Sequence, residues 1–144
     1  FTEKVLREAG WTPGRAVPTA AWEKSLAESD GLETHAAARA FLAEFGGLNV
    51  FQYGPGRNMA RMVFKLDPTA AEHDGEMFEV FSELVGCSVY PIGDVENGQN
   101  YLGMAENGAI YLGMDNLMLV AEHSRRALHN LVEGIQEHEP FWFF

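Results

Sequence analysis

The sequence predicts a single α+β domain, a mostly antiparallel sheet of about five to six strands with helices packed against it. Three observations predict it. Stretches of helical and strand-like periodicity run in the order helices, two strands, helix, three strands, helix, a mixed order that suits a segregated α+β fold. Tyr-Leu-Gly-Met occurs twice, at 101–104 and 111–114, on either side of Asn107-Gly108, the strongest short hairpin signal. With 144 residues, 47% of them hydrophobic, the chain is long enough to bury one core without cross-links.

The elements follow in order. Thr2 is a candidate cap for a short helix that ends at Gly10, with Val5, Leu6 and Ala9 on one face. Pro13-Gly14 breaks the chain, and Thr19 caps a second helix through Ser29, closed by Asp30-Gly31. Thr34 starts a third, in which Ala38, Phe41, Leu42 and Phe45 form an amphipathic stripe ended by Gly46-Gly47. Leu48 to Tyr53 and Arg61 to Leu66 read as strands around Gly54-Pro55-Gly56. Thr69 and Glu72 have capping-box spacing, yet Gly75 interrupts a helix begun there, and a start near Asp74 is as plausible. From that start, Met77, Phe81, Leu84 and Val85 make a buried stripe closed by Gly86. Cys87 to Ile92 is the next strand and Asp94 to Gly98 its turn. A last helix begins around Ser124, with Leu128, Leu131, Val132 and Ile135 on one face and Gly134 as terminator.

The hairpin carries the most detailed expectation. A type I′ turn, with positive φ at both Asn107 and Gly108, sets Ala105 opposite Ile110, Met104 opposite Tyr111 and Gly103 opposite Leu112. One face then holds Tyr101, Ala105, Ile110, Leu112 and Met114, the other Leu102, Met104 and Tyr111. Both faces are apolar, so this is an inner part of the sheet with material on each side.

Composition limits function. The longest uninterrupted apolar run, Leu117 to Ala121, is far too short to span a bilayer, and Phe1 opens into a helical pattern without a basic-then-apolar signal segment. A single cysteine, Cys87, excludes an internal disulfide and points to a reducing cytoplasm. The net charge of −11 is uneven: residues 1–65 carry +1, whereas residues 66–144 hold fourteen acidic side chains and only Arg125 and Arg126, a balance of −12. Nucleic acid is a poor partner for that half, and a basic protein a good one, because opposite potentials steer encounter. The bland alternative is an acidic surface that only confers solubility.

No motif brings chemistry. Cys87 with His123 or His129 lacks any signature of nucleophile and base, and a thiol opening an apolar strand is more often a buried structural one. Gly54-Pro55-Gly56 lacks the Lys-Ser/Thr of a phosphate-cradling loop. His129 with Glu133, and His73 with Asp74 and Glu76, have no recognised ligand spacing. The tail Phe141-Trp-Phe-Phe144 is either packed back on its own domain or an exposed patch for a partner.

Taken together, Val5-Leu-Arg-Glu-Ala-Gly-Trp-Thr-Pro-Gly-Arg15, Trp22, Ala37-Ala-Arg-Ala-Phe-Leu-Ala-Glu-Phe-Gly-Gly-Leu48, Phe64-Lys-Leu-Asp-Pro68, Tyr90-Pro-Ile-Gly93, Glu106-Asn-Gly108 and Ala127-Leu-His-Asn-Leu-Val-Glu-Gly134 resemble the third immunity group of the SUKH superfamily. The resemblance divides the chain into a SUKH-like immunity domain at 1–136 and an aromatic C-terminal tail at 137–144. It implies a bacterial, non-enzymatic protein without a cofactor or metal, with no catalytic positions to carry over, acting within a polymorphic toxin system. The implied partner is a cognate basic toxin domain, a nuclease or nucleic-acid deaminase, rather than nucleic acid or a membrane; the chain itself is expected to be a monomer or weak homodimer. The alternative within the same superfamily is a regulatory scaffold with no toxin involved. The residues expected to meet the partner are Glu72, Asp74, Glu76, Asp94, Glu96, Glu106 and Asp115, in or beside loops of the acidic half. Tyr53 or Tyr101 is expected as an aromatic anchor, since buried aromatics hold complexes that rim charges only steer.

Overall fold

Periodicity and breakers place most of the elements. The structure is a computed structural model and describes residues 1–143. Among these, five helices form: α1 (Thr2–Glu8), α2 (Ala20–Asp30), α3 (Ala36–Phe45), α4 (Gly75–Val85) and α5 (Ser124–Glu133). A one-turn 3₁₀ helix at Pro68–Ala71 precedes α4. Seven strands form as well: β1 (Asn49–Val50), β2 (Phe64–Lys65), β3 (Val89–Val95), β4 (Asn100–Ala105), β5 (Ile110–Gly113), β6 (Asn116–Ala121) and β7 (Phe141–Trp142). They make one antiparallel sheet in sequential order, so the architecture is α+β with slightly more strands than expected.

The caps differ from the sequence reading. Thr2 is the first helical residue of α1 rather than its cap. Thr19 stands at the start of α2, but its hydroxyl donates to Glu23 Oε2 at 2.6 Å instead of accepting a backbone N–H. His35, not Thr34, caps α3: its Nδ1 accepts the Ala38 N–H at 3.2 Å, so its Nε2 carries the proton and donates to the Met104 carbonyl at 2.9 Å. The Asp74 start and Gly86 stop of α4 are as expected, and so is Gly134 after α5.

β1 and β2 are shorter than the predicted runs because the chain between them leaves the sheet to close the C-terminal end of α5. Gln52 Nε2 donates to the Leu131 carbonyl at 2.9 Å, the Arg57 N–H to Glu133 O at 3.2 Å and the Met59 N–H to Gly134 O at 3.1 Å. These bonds satisfy carbonyls that a helix end leaves without partners. β6 occupies the apolar run 117–121, which the sequence reading used only to exclude a membrane span; a short continuous run bounded by turns is also the pattern of a buried strand.

The hairpin register is one residue away from the expectation. Met104 pairs with Ile110, Gly103 with Tyr111, Leu102 with Leu112 and Tyr101 with Gly113. The loop is three residues long, closed by Ala105 N–H to Ala109 O at 2.8 Å, and only Gly108 has positive φ (+92°), with Asn107 Oδ1 accepting the Ala109 N–H. A single slip reassigns faces. Leu102, Met104, Ile110 and Leu112 therefore share the face covered by α1, α2, α3 and α5, where Phe41, Leu42, Phe45, Leu128 and Leu131 complete the main core.

The other face holds Tyr101, Gly103, Ala105, Ala109, Tyr111 and Gly113 and is packed by α4 in a second apolar cluster. There the repeated glycines have a purpose. A methyl group on Gly103 would lie 3.0 Å from the Phe78 ring and 2.7 Å from Val89, and one on Gly113 would lie 2.8 Å from the Phe81 ring. Each glycine of the repeat is a floor on which one phenylalanine of α4 rests.

Candidate functional site

Strand geometry decides where the seven acids go. Reversal after β3 and after β5 puts the 96–99 and 114–115 turns at the same end of the sheet, and the N-terminus of α4 reaches that end through a hydrogen bond from the Tyr101 hydroxyl to Asp74. Asp74, Glu76, Asp94, Glu96 and Asp115 are therefore brought to one end, with Glu72 beside them on the segment leading into α4. Glu106 is not among them. It lies at the opposite end, where its carboxylate accepts the Ser88 N–H at 3.2 Å.

Their surroundings differ. Glu76 and Asp115 are exposed. Glu72 is half-buried and takes a hydrogen bond from Ser25 on α2, and Glu96 accepts the Val63 N–H at 3.2 Å. Asp94 is buried in β3, where burial raises its pKa against the opposing pull of the Lys65 charge, with Asp67 adding to the rise. Among the described residues none of the seven joins an ion pair. The paired acids are others: Glu3, Glu23, Glu28, Glu133 and Glu137.

The two tyrosines part company. Tyr53 is 91% exposed on the loop that closes α5. Tyr101 is 7% exposed, its ring packed 5.8 Å from Phe78, and burial together with Asp74 and Asp94 pushes its hydroxyl up to about 12. It supports the acidic end from beneath and offers no free ring.

Other candidates of the sequence also have places. His129 Nδ1 meets the Thr2 hydroxyl at 3.1 Å, and Glu133 lies between Arg57 and Arg61 at 3.6 and 3.8 Å. Among the described residues no group of three or more His, Cys, Asp or Glu side chains converges as a metal site would. Cys87 is half-buried in the second cluster. In the tail, Phe143 packs its ring on Phe81 with centroids 6.4 Å apart, and β7 pairs with β6, yet Phe141 and Trp142 keep most of their surface in solvent. Phe144 lies outside the described residues.

Sequence reasoning missed one feature, an apolar groove on the α4 side lined by Leu84, Val85, Tyr111, Leu119 and Phe141, with a volume of about 410 Å³. Its signal was present in Leu84 and in the tail, but the strand that joins them, β6, had not been recognised. No helix among the described residues is long and apolar enough to cross a membrane.

Neither the curated proteins nor the solved structures contain a match to this chain. A family model described as "SUKH-3 immunity protein" matches residues 1–134, ending one residue after α5 and before β7. That match covers all but the last ten of the 144 residues, and the chain belongs to the SUKH-3 immunity protein family.

Proposed function

We propose that this chain binds and neutralises a cognate bacterial toxin, a nuclease or nucleic-acid deaminase, by covering a basic surface, and that it does so in the cytoplasm without catalysis of its own. Family membership supports a binding role. The observation that carries the electrostatic part is the gathering of Asp74, Glu76, Glu96 and Asp115 at one end of the sheet, none of them in an ion pair among the described residues, with Asp94 buried beneath them opposite Lys65. A toxin that acts on nucleic acid carries a cationic cleft for phosphates, and an unpaired acidic surface competes for it. Tyr53, exposed on the loop that closes α5, is the aromatic anchor; Tyr101 holds Asp74 in place.

Co-expression with toxin domains encoded in neighbouring genes tests the reading through growth rescue. Rescue is expected from the wild-type chain and reduced rescue from Glu76→Lys/Asp115→Lys, two exposed positions whose reversal leaves the core untouched. Failure of the wild-type chain against every such domain would overturn the function. Full rescue by the double variant would remove these acids from the interface.

A further inference from the structure

The two faces of the sheet are covered unequally. Among the described residues, α1, α2, α3 and α5 contribute to the core on one face, whereas α4 is the one α-helix packed on the other, with a 3₁₀ turn and Phe143 beside it. Seven strands at a spacing of about 4.8 Å make a sheet roughly 29 Å across, whereas one helix is about 10 Å wide. α4 covers β3 and β4 and reaches β5 with Phe81, so the β5–β6 side of that face is left half open. There Leu84 is 41% exposed and Phe141 58%, with Tyr111 and Leu119 forming the floor between them.

The groove wall carries Glu139 beside His138, and further carboxylates lie near it. Glu83 precedes Leu84 and, like Glu79, is exposed on α4. Glu122 lies close enough to Tyr111 to act, with burial and Cys87, on its phenol. The cations of residues 66–144, Arg125 and Arg126, belong to α5, and Arg126 is taken up by Glu137, just before the groove wall. A second copy of the chain would bring two acidic rims together, and an uncharged segment would leave them uncompensated.

We propose that the groove between α4 and β7 is a docking site for a cationic, amphipathic protein segment, its apolar side chains seated on Tyr111, Leu119 and Phe141 and its Lys or Arg side chains on the acids of the rim. The proposal rests on the reading of this chain as a binder of a basic toxin domain and names a second part of that interface. Phe141 and Glu139 lie beyond the residues that the family model matches, so this wall of the groove is built outside the matched domain.

The full chain, labelled with ¹⁵N, is titrated with a synthetic amphipathic helix of leucine and lysine. Amide shifts are expected to concentrate at Leu84, Tyr111, Leu119 and Phe141. Leu84→Glu separates a seated complex from a purely electrostatic one, because the variant adds a carboxylate while removing an apolar contact. Affinity about tenfold weaker in this variant supports docking in the groove. Unchanged or tighter binding overturns it, as do shifts confined to the face covered by α1, α2, α3 and α5. Phe141→Ser provides the same reading from the other wall should Leu84→Glu perturb α4. A dimer in sedimentation that Leu84→Glu dissolves would also overturn the proposal, since the occupant would then be a second copy. In the growth assay, rescue by the wild-type chain and not by Leu84→Glu/Phe141→Ser supports it, and equal rescue by both overturns it. Loss of rescue by the wild-type chain itself counts against the toxin reading alone, and the peptide titration still decides the groove.

Discussion

Two carboxylates show how position alone sets the sign of a charge's effect. Asp94 is 7% exposed, pairs across the sheet with Lys65 and Tyr101, and has its pKa raised, chiefly by burial. A carboxyl group whose folded pKa lies above its unfolded one weakens the fold when ionised. That cost is absent below the unfolded pKa and complete once the pH has risen through the folded one. Asp94→Asn is thus expected to raise the melting temperature near pH 7, with the gain vanishing near pH 3. Calorimetry at the two pH values checks it. Glu137 has the opposite sign. Its hydrogen bonds from Arg126 at 2.7 and 3.0 Å, and from Asn130 at 2.6 Å, lower its pKa from 4.5 to about 2. Its contribution is present above 4.5 and is lost as the pH falls toward 2. Glu137→Gln should melt below the wild type near pH 7, the deficit closing across that acid range in the same scans. Asn130 also donates to the Val120 carbonyl at 2.9 Å, so the pair ties α5 to both β6 and the segment leading to β7.

At the scale of elements, the contact between α4 and the hairpin depends on the absence of two side chains. The Phe78 and Phe81 rings occupy the space in which Gly103 and Gly113 would carry a methyl group. Gly103→Ala forces a shift of α4 or of β3, and overpacking of this kind costs about 1–3 kcal/mol. Urea denaturation should show that loss as a lower midpoint at unchanged slope, and Phe78→Leu should recover part of it, making the double variant less destabilised than the sum of the singles. The same two positions explain where the fold was and was not legible. The Tyr-Leu-Gly-Met repeat, the apolar stripe of α3 and the glycines after α3 and α4 define elements through local chemistry, and those elements form. In α4, however, it is Phe78 that is buried with Phe81, while Leu84, expected in the buried stripe, is exposed. The hairpin register was not legible, because both faces of β4 and β5 are apolar and neither alignment exposes a hydrophobic side chain. What selects the native pairing is the fit of Phe78 and Phe81 over the glycines, a contact between residues more than twenty positions apart. The ends of β1 and β2 were hidden for a similar reason: residues 51–53 and 61–63 look like strand, but the carbonyls at the end of α5 draw this stretch out of the sheet.

For the molecule as a whole, the legible part of the candidate surface was its charge and the hidden part its placement. Sequence counts locate twelve units of negative charge in residues 66–144, but whether they form a surface depends on strand reversals that bring Asp94, Glu96 and Asp115 to one end and send Glu106 to the other. Charge that acts as a surface differs measurably from charge that acts as a total, through its dependence on salt. At about 0.01 M ionic strength the screening length is about 30 Å, comparable with the width of the sheet, so a basic partner senses nearly every carboxylate. At about 0.15 M it is about 8 Å, and only charges next to the contact are sensed. Glu76→Lys/Asp115→Lys and Glu3→Lys/Glu8→Lys change the net charge equally, but the second pair sits on α1 in the helical layer of the opposite face. Both variants should slow association with the toxin domain at low salt. Near 0.15 M only Glu76→Lys/Asp115→Lys should remain slow, by roughly tenfold, because steering by a local patch survives where steering by total charge is screened away. Stopped-flow association rates at the two salt concentrations make the measurement. Equal slowing by both variants at the higher salt would mean that the acids work only as a diffuse field, and the end of the sheet around Asp74 and Asp94 would no longer be the contact.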